Sequence, residues 1–157
     1  MLGETLEKFV ERVVHGKADS DRHVMALFAI ALASKGKRLI ELGVGDGTTT
    51  LPLLMAANLN GGKLTSVDIK NTDFICPEGL KDNWEFVNSD ALSFLGSLDY
   101  GNKADVIYID DWHSYAHVKK ELEFVDRLVG PSSVVLMHDL MWGNHDPYYH
   151  CDLTLTT

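Results

Sequence analysis

Arg38-Leu39-Ile40-Glu41-Leu42-Gly43-Val44-Gly45-Asp46-Gly47-Thr48-Thr49-Thr50 is the stretch from which the rest of the chain can be read. Leu39, Ile40 and Leu42 are apolar enough for a strand covered on both faces. Gly43, Gly45 and Gly47 follow as a turn, where Cβ atoms would obstruct sharp bending or the close approach of a ligand. Thr48 to Thr50 can open a helix, and Pro52 fits its first turn, where a missing N–H is no loss. Strand, glycine loop and helix N-terminus together make a site for a nucleotide-like ligand.

The loop narrows the ligand. No Lys followed by Ser or Thr comes after the last glycine, as a phosphate loop would need. The spacing is Gly-x-Gly-x-Gly, not the Gly-x-Gly-x-x-Gly of a pyrophosphate site, with Glu41 before it and Asp46 inside it. Two carboxylates repel a pyrophosphate but attract a sulfonium or an amino group. Leu64-Thr65-Ser66-Val67-Asp68 reads as a second strand ending in an acid, which can hold both hydroxyls of a ribose. A ligand with a ribose, a positive centre and no phosphate is S-adenosylmethionine.

Composition sets the outer limits. A chain of 157 residues, 45% of them hydrophobic, suits a single domain with a real core. The net charge of −9 argues against a nucleic-acid backbone or an anionic membrane as main partner. The longest apolar stretch, residues 24–33, is too short to span a bilayer. The first residues, with Glu4, Glu7 and Glu11, do not resemble a signal peptide. Cys76 and Cys151 form no Cys-x-x-Cys pair, so a reduced, cytoplasmic protein is expected.

Taken in order, residues 1–36 read as N-terminal helices. Leu6, Phe9, Val10, Val13 and Val14 have helical spacing, and Asp19 or Ser20 could cap a second helix running to about Ser34. The face of that helix with Val24, Leu27, Phe28, Ile30, Ala31 and Leu32 is expected to pack on the sheet. Residues 37–140 form a core of alternating strands (37–42, 63–68, 84–88, 104–110, 133–138) and helices (48–59, 90–98, 114–129). Residues 71–83 read as a loop with at most a short helix. This alternation implies parallel pairing in a Rossmann-like three-layer α/β/α domain with a mostly parallel sheet. Glu41, Asp68, Asp110 and Asp139 mark strand ends or the loops just beyond. Unpaired buried carboxylates are costly, so their shared placement reads as a site. Residues 141–157 are a tail rich in polar and aromatic groups, with His145, Asp146 and His150 matching no defensible metal spacing.

Four blocks carry a family resemblance. Glu41-Leu42-Gly43-Val44-Gly45-Asp46-Gly47, Ser66-Val67-Asp68 and Val87-Asn88-Ser89-Asp90-Ala91 resemble the first three motifs of class I S-adenosylmethionine-dependent methyltransferases. Ile109-Asp110-Asp111-Trp112-His113-Ser114-Tyr115, with His138-Asp139 downstream, is similar to the small-molecule O-methyltransferases related to the catechol and macrocin enzymes. The resemblance implies methyl transfer from S-adenosylmethionine to an oxygen of a small molecule, such as a sugar or phenol. It implies that Glu41, Gly43 and Gly45 line the methionine part, Asp68 the ribose, and Ser89 and Asp90 the adenine. It further implies that Asp110, also beside the cofactor, joins His138 and Asp139 in holding Mg²⁺ or another divalent cation. The His-Asp pair would shift preference toward Mn²⁺, Fe²⁺ or Zn²⁺. His113, three residues after Asp110, takes the place of the family's general base. A dyad of Asp111 with His113 is the other arrangement considered, and loop ordering is the bland reading of all these residues. The family sheet has seven strands, whereas nineteen residues follow His138, so the C-terminal strands are expected to be truncated or missing. The exposed sheet edge could pair with another subunit, giving a homo-oligomer. An Fe-dependent oxygenase, an NAD-dependent oxidoreductase and a non-catalytic cofactor-binding domain are the rival readings.

Overall fold

Period-two alternation in the first strand sends side chains to opposite faces of the sheet. In β1 (Arg38–Leu42), Leu39 joins one apolar cluster while Ile40 and Leu42 join another. The computed structural model describes residues 7, 10, 11, 13–16 and 19–139. After β1 come α2 (Thr50–Leu59), β2 (Lys63–Asp68), a 3₁₀ turn (Glu78–Asn83), β3 (Trp84–Asn88) and α3 (Ala91–Ser97). Then follow β4 (Val106–Ile109), α4 (Tyr115–Leu128) and β5 (Val134–Met137), while α1 (Val24–Ala33) precedes them all. The expectations for His145, Asp146, His150 and Cys151, and for truncated or missing C-terminal strands, lie outside the described residues.

All neighbouring strands are parallel, in the order β3-β2-β1-β4-β5. The order reverses between β1 and β4, so the crevice at a topological switch point opens at the carboxyl ends of those two strands. The expected Rossmann-like α/β architecture is thus present among the described residues, helices covering both faces. On one face α2 meets Leu39, Leu64, Val106 and Tyr108; on the other α3 and α4 bury Ala91, Leu95, Val125 and Leu128 against Ile40, Val67 and Ile107. Fully burying a Leu or Ile of this kind stabilises the fold by about 1.5–3 kcal/mol each.

α1 joins the cluster on this side of the sheet, as expected: Val24, Leu27 and Ala31 are buried with Leu39, Val106 and Tyr108, and α1 also packs along α2, which is buried nearly all round from Thr50 through Ala57. Asn60 Nδ2 fastens the pair by donating to the Ala31 carbonyl at 3.2 Å, and Ile30 faces solvent. One expectation needs correction: the single helix expected from Asp19 or Ser20 to about Ser34 is divided into a 3₁₀ turn (Asp19–Arg22) and α1, which begins at Val24 with His23 as an N-cap that makes no side-chain capping bond. Residues 7, 10, 11 and 13–15 are helical, as the apolar spacing predicts. No described helix is long and apolar enough to cross a membrane.

Candidate functional site

The glycine loop leaves β1 with Gly43, Gly45 and Gly47 all at positive φ (89°, 52° and 81°), the region where a Cβ is strained. A Cβ on Gly43 would lie 2.2 Å from the Asp110 carbonyl oxygen, because the ends of β1 and β4 touch at the switch point. The loop is then fastened from two sides. Glu41, wholly buried, accepts hydroxyl hydrogen bonds from Thr49 (2.7 Å), Thr50 (2.8 Å) and Ser66 (2.6 Å). Trp84 Nε1 donates in turn to Ser66 Oγ at 3.0 Å. Register explains the row: Glu41 stands beside Ser66 of β2 and Tyr108 of β4, on the face covered by α2. Burial pushes Glu41 up to about 7, against the lowering effect of its three hydroxyl donors.

The second fastening is Asp68, the last residue of β2. Its Oδ2 accepts from Val44 N (2.9 Å) and Gly45 N (3.1 Å), and its Oδ1 from Lys70 N (2.8 Å). Burial acts to raise its carboxyl but is outweighed by these N–H donors, which hold it below the usual carboxylate range. Asp90 caps α3 by accepting from Ser93 N at 2.9 Å, a bond that lowers its carboxyl too. Ser89 and Asp90 lie next to Asp68 because Ser89 N donates to the Asp68 carbonyl.

Across the switch point a second set gathers. Asp110 follows β4 directly and accepts from Tyr108 Oη at 2.9 Å. Its other oxygen lies 3.5 Å from His113 Nε2 and 3.2 Å from His138 Nδ1. Asp139, at φ 53°, brings its carboxylate 3.8 Å from His113 Nε2 and 3.1 Å from His138 Nδ1. Burial raises the Asp110 carboxyl even though both histidines oppose it. The ligand atoms of Asp110, His113 and Asp139 lie within 4.8 Å of one another, the spacing of a metal site. His138 Nδ1 stands beside the same two acids, buried and without a hydrogen-bond partner of good geometry. From the N-cap of α1, the His23 ring meets the His138 ring edge-on at 5.3 Å. A cavity of about 580 Å³ between α4 and β5 opens beside this set, lined by Val118, Leu122 and Met137, by Lys119, Glu123 and Asp126 of α4, and by His113, His138 and Asp139.

A family profile described as "Methyltransferase domain" matches residues 40–140. The chain belongs to that family. Solved structures agree with it in fold. The O-methyltransferase TomG of Streptomyces achromogenes, in complex with SAM, superposes with a TM-score of 0.65 at 18% identity, over 85% of this chain and 64% of that one. The SAH-bound methyltransferase PaMTH1 of Podospora anserina gives 0.62 at 18%, over 85% and 61%. An O-methyltransferase of Bacillus cereus in complex with SAH gives 0.60 at 18%, over 85% and 65%. The chain therefore spans just under two thirds of the length of these enzymes. No curated protein matches it in sequence.

Within this methyltransferase domain the predicted residues divide. Gly43, Gly45, Asp68, Ser89 and Asp90 come together along the ends of β1, β2 and β3, and Asp110, His113, His138 and Asp139 along the ends of β4 and β5. Glu41 stands apart: its carboxylate is below the loop, taken up by three hydroxyls, with no exposed atom to offer. The Asp111–His113 dyad is not formed. His113 turns to Asp110 and Asp139, and Asp111 instead meets His117 Nε2 at 3.0 Å. Trp112 is 65% exposed and so is no core residue. Sequence reasoning missed Ile69, an apolar side chain 69% exposed directly after Asp68, and the pair His117 and Glu121 on α4. The second omission had a signal, since residues four apart on a helix share a face.

Proposed function

We propose that this chain binds S-adenosylmethionine across the ends of β1, β2 and β3 and transfers its methyl group to an oxygen of a small molecule. The observation that carries the reading is the placement of Asp68 against the glycine loop, at the switch point of a domain of this family. A carboxylate has about four acceptor positions, and Asp68 uses three on its own backbone. One ribose hydroxyl can bind at once, and the second when a loop N–H is released. Ile69 would cover a face of the adenine, with Ser89 and Asp90 at its edge. Gly43 and Gly45 would border the methionine part, with Glu41 positioning the loop from beneath.

In the transfer, the acceptor oxygen attacks the methyl carbon, the C–S bond breaks, and the electron pair leaves on a neutral thioether sulfur. The acceptor hydroxyl must lose its proton. His113 is the group placed to take it, its Nε2 facing the carboxylates of Asp110 and Asp139, which favour a positive charge there. The donor set also fits a divalent cation, since His138 Nδ1 is buried without a donor or acceptor of good geometry beside two acids. Asp110 and Asp139, with His138, would hold it, leaving His113 as the base. Such a cation lowers the acceptor's hydroxyl pKa as a Lewis acid. The mostly apolar cavity between α4 and β5, with His113, His138 and Asp139 in its lining, suits a small acceptor presenting a hydroxyl.

Calorimetry with S-adenosylhomocysteine tests the reading. The wild-type chain should bind it and not NAD, and Asp68→Ala should weaken binding at least tenfold. Absence of binding would overturn the assignment of the cofactor; unchanged affinity in Asp68→Ala would remove the ribose role alone.

A further inference from the structure

A second cluster of ligating side chains lies apart from the set just described. Asp110 and Asp111 are consecutive, yet their carboxylates go to different places. Asp110 joins His113 and Asp139, whereas Asp111 Oδ2 meets His117 Nε2 at 3.0 Å. Glu121, one helical turn after His117, brings Oε1 to 3.6 Å from the same nitrogen. The three ligand atoms lie within 4.8 Å of one another. Glu121 is wholly buried, and neither of its carboxylate oxygens receives a hydrogen bond; Oδ1 of Asp111 is likewise buried without a donor. A carboxylate without a donor in a protein interior is costly and must gain a cation, a donor or a proton; burial and the facing Asp111 carboxylate push Glu121 up to about 9, so a cation there would take the place of a proton.

We propose that Asp111, His117 and Glu121 form a binding site for a divalent transition-metal ion, Zn²⁺ being the ion best suited to it. The spacing has the right scale. Ligand atoms about 2.1 Å from a tetrahedral ion stand about 3.4 Å from one another, and the distances here are 3.0 and 3.6 Å. One imidazole with two carboxylates suits Zn²⁺ better than Mg²⁺, which prefers oxygen and keeps its water. The ion's role is positioning. It ties the loop after β4 to the first two turns of α4, and that loop carries Asp110 and His113 at its other side. The proposal stands independently of methyl transfer, because none of its three side chains lines the acceptor cavity or is assigned a contact with the cofactor.

The test is equilibrium binding of Zn²⁺, with Co²⁺ as a visible-absorption probe, to the full chain and to Asp139→Asn, which disables the first cluster. One equivalent should bind Asp139→Asn, with Co²⁺ bands in the visible, and should raise the melting temperature. Adding His117→Ala or Glu121→Gln to that background should weaken this equivalent at least tenfold. Binding that is equal with and without His117 and Glu121 would overturn the proposal. So would a wild-type chain that takes up no stoichiometric Zn²⁺, a result that needs no variant to fold.

Discussion

Gly43→Ala tests the contact between the two halves of the site. At φ 89° the substitution carries the steric penalty of a left-handed L-residue, about 1–2 kcal/mol. The new Cβ would also lie 2.2 Å from the Asp110 carbonyl oxygen and 2.9 Å from Asp111 Cα, against 3.4 Å for ordinary contact. The neighbour is backbone at the end of a buried strand, so it must retreat by roughly 1 Å, an overpacking that costs about 1–3 kcal/mol. Together these predict a loss of about 2–5 kcal/mol. Gly45→Ala is the control, because φ is positive there too (52°) but the Cβ would meet nothing within 4 Å. It should lose only the conformational part. Urea unfolding followed by tryptophan fluorescence measures both, and calorimetry with S-adenosylhomocysteine should show the larger fall in affinity for Gly43→Ala. Equal losses in the two variants would refute the argument that β1 and β4 are in contact at this point.

The buried Glu41 predicts a pH dependence. Burial pushes it up to about 7, so between about pH 4.5 and 7 the folded chain keeps a proton that the unfolded chain has lost, and stability falls as pH rises through that window. The effect is roughly 3 kcal/mol, and the difference in unfolding free energy between wild type and Glu41→Gln should change by that order from pH 5 to pH 8; parallel pH profiles would contradict it. Trp84→Phe removes the donor to Ser66 and should cost about 1 kcal/mol in urea, a loss that shrinks when Ser66 is already Ala. Asp139→Asn should weaken Mn²⁺ binding at the first cluster at least tenfold while S-adenosylhomocysteine affinity stays within about twofold; a joint loss would mean that Asp139 holds the fold of the loop instead.

Much of this architecture was legible because parallel strands covered on both faces read as short apolar runs between helices. β2 and β3 have the boundaries expected; β1 starts one residue late, β4 starts two late and stops one early, and β5 is one residue shorter at each end. The acids Asp68, Asp110 and Asp139 were legible by position, since each ends a strand or follows one. Glu41 was not, because its partners come from α2 and from a strand 25 residues away, and only register brings them together. The partner of Asp111 depends on how the loop after β4 turns, which periodicity does not encode. α1 was legible as a helix over the sheet, but a helix apolar on most sides does not declare that it also runs along α2.

The internal bonds of Asp68 have a consequence for how a nucleoside enters. A sugar that binds both of its hydroxyls there must evict the amide of Val44 or Gly45, so arrival is an exchange and the loop is unlatched in the same event. A 2′-deoxy analogue would leave the latch shut. Discrimination against it should then be smaller than the worth of one lost hydrogen bond, because the second hydroxyl only replaces a donor that the latch already supplies.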